Sequence, residues 1–290
     1  MNSSLSINCR GRLLTLDRPR IMGVLNATPD SFSDGGQFQE VSAAMKQAEQ
    51  MIQAGADLID LGGYSSRPYA DPVSEEEEIR RIAPIAAEIL KEFPGTILSI
   101  DTFRPGVAAE LLDIGAHLIN DISAGSALGE PSSIGLSMIE LLAKKGQVPY
   151  ILMHMQGTPE NMQDRPEYQA VGEEVWAFLV EKLRQCQAAQ LHDVILDPGF
   201  GFGKKIAHNY QLLYQIDRFQ LLNKPLLVGI SRKSMMYKLL QKKPTEVQAA
   251  TAALHWKCLE AGAHILRVHD VEETVQLVEL FVHLRDYGII

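Results

Sequence analysis

Short apolar runs recur along the chain and predict buried β-strands, while the segments between them have the periodicity of helices. The predicted strands are IMGVLN from residue 21, LIDLGG from 58, ILSID from 97, HLINDI from 117, YILMHM from 150, VILDPG from 194, LLVGIS from 226 and HILRVH from 264. Several of the helical segments begin with a Ser or Thr cap, such as residues 74–93 and 245–263, or end in glycine, such as residues 40–55. The pattern therefore alternates strand and helix eight times.

This alternation predicts an α/β protein with a parallel sheet. Eight units within about 250 residues favour a closed (β/α)8 TIM barrel over an open doubly wound sheet. Residues 5–16 alternate apolar and polar positions around Cys9-Arg10-Gly11, which predicts a short N-terminal β-hairpin at the bottom of the barrel. We expect one domain over residues 1–290, with the barrel at about 20–288.

The overall charge is unfavourable for a nucleic-acid partner. The formal net charge is −9, whereas nucleic-acid binding depends on a basic surface that releases counterions from phosphates. No apolar run approaches the roughly 18 residues of a membrane span, and the first residues lack the continuous apolar segment of a signal peptide. Three separated cysteines suit a reducing compartment. We expect a cytoplasmic protein with no membrane or nucleic-acid partner.

A glycine-rich stretch, DPGFGFGK at residues 197–204, matches neither of the two phosphate-binding fingerprints that it resembles in composition. A dinucleotide loop reads G-x-G-x-x-G, and Lys204 stands where its last glycine belongs. A P-loop reads G-x-x-x-x-G-K-[ST], and here Pro198 replaces the first glycine while Lys205 replaces the hydroxyl residue. The glycines must serve another purpose.

Polar residues stand at the end of every predicted strand, which is where barrel enzymes build their active sites. They are Asn26, Asp60, Asp101, Asn120 with Asp121, His154, Asp197, Ser231, and Arg267 with His269. A lone Asp or Asn there could serve only as a cap or turn residue. The full set is harder to attribute to turns.

Three of these residues, Asp101, Asn120 and Asp197, would place carboxylate and amide acceptors in one cavity. They lack the clustered histidines or carboxylates of a transition-metal site. A carboxylate can accept two parallel hydrogen bonds from an amidine-like edge. The set predicts a site for a neutral heterocycle rich in N–H groups, such as a guanine-like or pterin-like ring.

Positive charge is concentrated late in the chain, in GISRKS from residue 229 and RVHD from residue 267. Lys233, Arg267 and His269 would converge at the ends of the seventh and eighth strands, where barrels often bind phosphate. A solvated basic turn is the alternative for SRK, but an unpaired guanidinium at a strand end would be costly. The trio is typical of a diphosphate site.

Two long loops follow the first two strands, NATPDSFSDGGQF from residue 26 and GGYSSRPYADPV from residue 62. They exceed the usual length of βα connections and carry Phe32, Arg67 and Pro68 among small residues. Plain surface loops are the alternative. We interpret the pair as a lid over a water-sensitive intermediate.

Seven motifs, in this order, resemble those of the dihydropteroate synthase family, the folate-pathway enzymes that sulfonamides inhibit. They are MGVLNATPDSFSDGG at 22–36, GGYSSRP at 62–68, SIDT at 99–102, IND at 119–121, DPGFGFGK at 197–204, SRKS at 231–234 and RVHD at 267–270. The resemblance spans nearly the whole chain. It implies a homodimer that uses Mg²⁺ to join 6-hydroxymethyl-7,8-dihydropterin diphosphate to 4-aminobenzoate, giving 7,8-dihydropteroate and diphosphate.

The resemblance also implies a role for each matching residue. The pterin contacts are Asp101, Asn120, Asp197, Lys233 and Arg267. The diphosphate contacts are Asn26, Ser66, Arg267 and His269, with Asn26 also at the magnesium ion. The 4-aminobenzoate contacts are Phe32, Pro68, Phe202, Lys233 and Ser234. The catalytic residues are Asp34 and Arg67 in the lid, with Lys233 and Arg267.

The second loop departs from the family pattern. Tyr64 stands where Glu is frequent, Ser66 where Thr is frequent and Tyr69 where Gly is frequent. These changes bear on inhibitor sensitivity more than on the reaction. Three other functions stay open: a methyltetrahydrofolate-dependent methyltransferase of the same fold, a catalytically silent pterin-binding homologue, and a Schiff-base aldolase that uses Lys233.

Overall fold

The computed structural model describes residues 5–27, 36–64, 73–126, 128 and 132–289. The strands in these residues are β1 (Ser6–Cys9), β2 (Arg12–Thr15), β3 (Arg20–Asn26), β4 (Leu58–Gly62), β5 (Ile97–Asp101), β6 (Leu118–Asp121), β7 (Tyr150–Met153), β8 (Val194–Asp197), β9 (Leu227–Val228) and β10 (Ile265–Val268). The α-helices in the same residues are α1 (Gly36–Gln53), α2 (Glu75–Glu92), α3 (Pro105–Ile114), α4 (Met138–Lys145), α5 (Val171–Ala188), α6 (Ile206–Tyr214), α7 (Ser234–Tyr237), α8 (Gln248–Glu260) and α9 (Val271–Asp286). Short 3₁₀ turns lie at Ile216–Leu222 and Pro244–Glu246.

Within the described residues, eight parallel strands form a barrel, and the predicted fold class is confirmed. Strands β3 to β8 pair in chain order, and β10 pairs with both β3 and β9. The circle is completed between β8 and β9, because the Leu196 amide donates to the Pro225 carbonyl at 2.8 Å and Leu196 bridges Leu226. All eight carboxyl ends therefore face one mouth.

The predicted hairpin is also confirmed, with β1 and β2 antiparallel. Its buried side chains, Ile7, Cys9, Leu14 and Leu16, pack against one apolar residue near the start of each barrel strand. Those residues are Met22, Leu58, Ile97, Leu118, Ile151, Ile195, Leu227 and Ile265. The hairpin thus covers the amino end of the barrel, opposite the mouth.

Helix α2 shows how local sequence fixes the outer layer. The Ser74 hydroxyl caps it by accepting from the Glu77 amide at 3.2 Å. Four consecutive glutamates fill its first turn, where negative charge favours the helix dipole. Ile82, Ile85 and Ile89 are fully buried against the barrel, so one apolar face holds the helix on the sheet.

Strand β9 is shorter than the sequence pattern indicates. The apolar run at 226–231 predicts a full strand, but only Leu227–Val228 pair as one. The chain turns at Ser231, and Arg232 adopts a left-handed conformation with φ of 55°. This turn directs the SRKS segment across the mouth.

In the part of the chain that the structure describes, no helix is long and apolar enough to cross a membrane.

Candidate active site

A buried carboxylate, Asp60 in the middle of β4, accepts hydrogen bonds from residues of three other strands. Its Oδ1 accepts from the Ser99 hydroxyl at 2.5 Å, and its Oδ2 accepts from the Asn120 amide nitrogen at 2.9 Å and from Arg267 Nε at 2.6 Å. Asp60 is 0% exposed. Because the Asn120 nitrogen is committed to Asp60, the Asn120 side-chain oxygen is left to accept from a ligand.

Arg267 joins this centre to the next predicted pterin contact. Its Nη2 donates to Asp101 Oδ2 at 2.5 Å, while its Nε holds Asp60. Burial, only partly opposed by Arg267, raises the pKa of Asp101 to about 7. A cation and a ring-reading acceptor are therefore in direct contact.

Asp197 ends β8 at the same mouth and is buried. Burial raises its pKa, and the hydrogen bond from the Gly199 amide at 2.8 Å opposes that shift. The next residues turn sharply at Gly199, whose φ is +70°. A Cβ there would lie 1.8 Å from the His154 carbonyl oxygen, so only glycine fits. The glycine-rich stretch is thus a close turn beside Asp197.

Phe202 and Lys233 meet above this turn. The Lys233 ammonium lies 4.1 Å from the centroid of the Phe202 ring, a cation–π contact. Gly201 leaves room for it, because a Cβ there would be 3.0 Å from Lys233 Cδ. Burial, and then the charge of Arg267, lower the pKa of Lys233 to about 8. Ser234 follows as the first residue of α7 and is half-buried.

Hydrogen bonds and an ion pair join the SRKS motif to the RVHD motif. The Ser231 hydroxyl lies 3.1 Å from His269 Nδ1 and accepts from the His269 amide at 3.3 Å. Arg232 forms a two-point ion pair with Asp270, with Nε 3.1 Å from Oδ2. These bonds place Lys233, Arg267 and the exposed His269 at adjacent strand ends, as the sequence predicts.

Asn26, the last residue of β3, is half-buried beside Gly62. Among the described residues, no group of three His, Cys, Asp or Glu side chains could hold a metal ion. Mg²⁺ prefers oxygen ligands and usually retains several waters beside substrate phosphates, so the Asn26 side-chain oxygen could contribute one ligand. The donor set fits Mg²⁺ held jointly by Asn26 and a diphosphate.

Two of the strand-end residues have structural partners. Asp121 accepts from the Tyr150 hydroxyl at 2.5 Å and from the Ser123 amide at 2.7 Å, which fixes the turn after β6. His154 Nδ1 lies 2.9 Å from Nζ of the buried Lys204.

Tyr64, one departure from the family pattern, packs edge-on against Phe103 at 5.2 Å between ring centroids. The predicted site residues Phe32, Asp34, Ser66, Arg67 and Pro68, and also Tyr69, lie outside the described residues.

At the level of the sequence, Asp60 stands among the strand-end residues with no assigned role. Its position inside the apolar run LIDLGG was the available signal. A carboxylate inside an apolar strand needs partners. The structure supplies three of them.

Comparison with known proteins agrees with this geometry. The family model described as pterin binding enzyme matches residues 22–269. Dihydropteroate synthase of Escherichia coli (strain K12) is 44% identical over 278 residues, covering 95% of this chain and 95% of that protein. The crystal structure of the Yersinia pestis enzyme with a sulfonamide drug complex has a TM-score of 0.88 and 43% identity, covering 97% of this chain and 100% of that chain. The Xanthomonas albilineans enzyme in complex with 7,8-dihydropteroate has a TM-score of 0.84 and 38% identity, covering 97% and 99%. The chain belongs to the dihydropteroate synthase family of pterin-binding enzymes.

Proposed function

We propose that the protein condenses 6-hydroxymethyl-7,8-dihydropterin diphosphate with 4-aminobenzoate, giving 7,8-dihydropteroate and diphosphate. The observation that carries this proposal is the contact between Arg267 and Asp101 at 2.5 Å. It puts an acceptor for a pterin ring in direct contact with the guanidinium that would bind the diphosphate. A substrate with both groups matches that arrangement.

The pterin would bind through its N–H edge. Asp101, Asn120 and Asp197 end three strands of the barrel and offer two carboxylates and one amide oxygen. The bond from Asn120 to Asp60 leaves that amide oxygen free to face the ring. Lys233, held over Phe202, would reach the ring from the side. Each acceptor then serves one donor of the heterocycle.

The reaction would begin with cleavage of the bond between the methylene carbon and the diphosphate oxygen. The leaving diphosphate keeps the electron pair, and the electron-rich dihydropterin delocalises the cation that remains. Arg267 and His269 would stabilise the departing negative charge. His269 is suited to this because its Nδ1 already faces the Ser231 hydroxyl at 3.1 Å, which fixes the ring.

The amine of 4-aminobenzoate would then attack the methylene carbon and lose a proton. A neutral arylamine is nucleophilic, so the step requires no general base. Phe202, Lys233 and Ser234 would form the described part of its binding site, with Phe32 and Pro68 from the two long loops. Asp34 and Arg67 in those loops would keep water from the cation.

Magnesium would be bound by Asn26 and the diphosphate, and it would supply positive charge that favours diphosphate departure.

We also propose a homodimer, which rests on the family resemblance and is tested by light scattering after gel filtration. A cytoplasmic location is supported by three free, buried cysteines among the described residues.

The proposal is tested by incubating the protein with the pterin diphosphate and Mg²⁺, with and without 4-aminobenzoate. Chromatography follows dihydropteroate, and a phosphate assay follows diphosphate. Dihydropteroate that requires both substrates supports the synthase. Tight pterin binding without product would indicate a silent homologue instead, and methyl transfer from methyltetrahydrofolate would indicate the methyltransferase.

A further inference from the structure

Lys204, the last residue of the DPGFGFGK motif, is buried beneath the loop that carries Phe202. It is 3% exposed. Its Nζ donates to the Gly199 carbonyl at 2.8 Å and to the Phe202 carbonyl at 3.1 Å, and it lies 2.9 Å from His154 Nδ1. A lysine that follows a glycine-rich loop would ordinarily extend into solvent. Here it points inward.

The surroundings of Lys204 match a charged ammonium group. An ammonium has three N–H donors, and the structure places three carbonyl oxygens, of His154, Gly199 and Phe202, and the His154 Nδ1 around it. Where the ammonium donates to Nδ1, the His154 ring is neutral with its proton on Nε2. Burial and the neighbouring Lys204 lower the pKa of His154, in agreement with a neutral ring. Burial lowers the pKa of Lys204 to about 7, whereas the charge of Asp197 and the hydrogen bonds donated to two carbonyls favour its charged form.

The other loop carbonyls have donors that come from elsewhere in the chain. The Gln163 side chain donates to the Gly201 carbonyl at 2.9 Å, and the Tyr168 hydroxyl donates to the Gly203 carbonyl at 2.8 Å. Among the side chains that the structure describes, Lys204 donates to both the Gly199 carbonyl and the Phe202 carbonyl. The Phe202 amide closes the turn by donating to Gly199 at 3.2 Å.

We propose that Lys204 is a positioning residue for the aminobenzoate site. Its ammonium fixes the carbonyls on both sides of the turn at 199–202, and the turn sets the angle at which Phe202 faces Lys233. The role is indirect, because Lys204 lies below the loop and Phe202 lies above it. The expected kinetic effect rests on the proposed function, whereas the expected loosening of the turn at 199–202 does not.

The test compares Lys204→Met with Lys205→Met, in the full-length protein. Methionine fills a similar volume without charge or donors. Lys205 is the adjacent, exposed lysine, so the control removes the same charge one residue away. Two readouts are needed: amide hydrogen exchange of residues 197–205 without substrate, and steady-state kinetics for each substrate.

We expect exchange at the Gly199 and Phe202 amides to accelerate about tenfold or more in Lys204→Met, with other core peptides unchanged. The KM for 4-aminobenzoate should rise about tenfold, while kcat and the affinity for a pterin change by less than about threefold. Lys205→Met should match the wild type in both readouts.

Unchanged exchange and an unchanged aminobenzoate KM in Lys204→Met would overturn the inference. An equal loss of affinity for both substrates would also overturn it, since that result indicates general damage. If Lys204→Met does not fold, Lys204→Arg keeps the charge and should retain slow exchange at Phe202; fast exchange there would count against the proposal. If the wild type forms no dihydropteroate, the proposed function fails, whereas the exchange result still decides the role of Lys204.

Discussion

Replacing Asp60 should separate the contribution of its hydrogen bonds to stability and pterin binding from the contribution of its negative charge. Asp60→Asn preserves the shape of the side chain. Its oxygen can accept from Asn120 and Arg267, and its nitrogen can donate to Ser99, whose hydroxyl can rotate to accept. Asp60→Leu has a similar shape, excludes water and accepts nothing. The wild-type distances of 2.5, 2.9 and 2.6 Å define which bonds each variant keeps.

The expected magnitudes differ because the two variants leave different groups without partners. In Asp60→Asn, the bonds to Ser99 and Asn120 become neutral ones, while Arg267 still donates a charge-assisted bond to the amide oxygen, so the change costs about 1–2 kcal/mol of unfolding free energy. In Asp60→Leu, two neutral donors lose their acceptor at about 1–3 kcal/mol each, for a total of about 4 kcal/mol. Arg267 keeps Asp101 in both variants, so the full penalty of an unpaired buried charge does not apply.

Pterin affinity should follow the same order. Without Asp60 as acceptor, the Asn120 amide has no bond that fixes which atom faces the ligand. We expect binding of a pterin to weaken by less than about tenfold in Asp60→Asn and by about a hundredfold in Asp60→Leu. Urea unfolding gives the stabilities and titration calorimetry gives the affinities. Asp217→Asn, at an exposed residue, should change neither.

Two results would refute this reasoning. A leucine variant within about 1 kcal/mol of the wild type would mean that the three donors find other acceptors. An asparagine variant as damaged as the leucine variant would mean that charge, and not hydrogen bonding, organises the centre.

Three further predictions concern other parts of the molecule. Burial raises the pKa of Asp101 to about 7, so protonation below that pH removes an acceptor for the pterin. Pterin affinity, measured by calorimetry, should therefore fall as the pH decreases from about 8 to about 6. The Asp101→Asn variant should show no such fall. Gly199→Ala should destabilise the protein by more than about 2 kcal/mol by urea unfolding, whereas Gly11→Ala, also at positive φ but with open space around it, should cost only about 1 kcal/mol. Ile7→Ala in the hairpin should cost about 2–5 kcal/mol yet leave activity per folded molecule unchanged, because the hairpin covers the opposite end of the barrel; equal losses of kcat would contradict that.

Much of the fold follows from features that are local in sequence. Each barrel strand is an apolar run, and each run ends in a polar residue that the parallel arrangement brings to one mouth. For this reason the sequence alone groups Asp101, Asn120, Asp197 and Arg267 at one site. The hairpin was equally visible, since its apolar positions alternate.

The features that the sequence does not predict depend on the register between strands and on tertiary burial. The role of Asp60 requires the register that sets it opposite Ser99 and within reach of Arg267, 207 residues later in the chain. The inward direction of Lys204 depends on carbonyls that only the folded loop presents. The short β9 results from the left-handed turn at Arg232, which the apolar run at 226 gives no reason to expect.

The most direct test of the central claim is a single-turnover experiment with the protein in excess over the pterin diphosphate, labelled with ¹⁸O at the oxygen that bridges the methylene carbon and phosphorus. With 4-aminobenzoate present, we expect one dihydropteroate for each diphosphate, with the label in the diphosphate. Diphosphate released without dihydropteroate, or label retained in hydroxymethyldihydropterin, would contradict it.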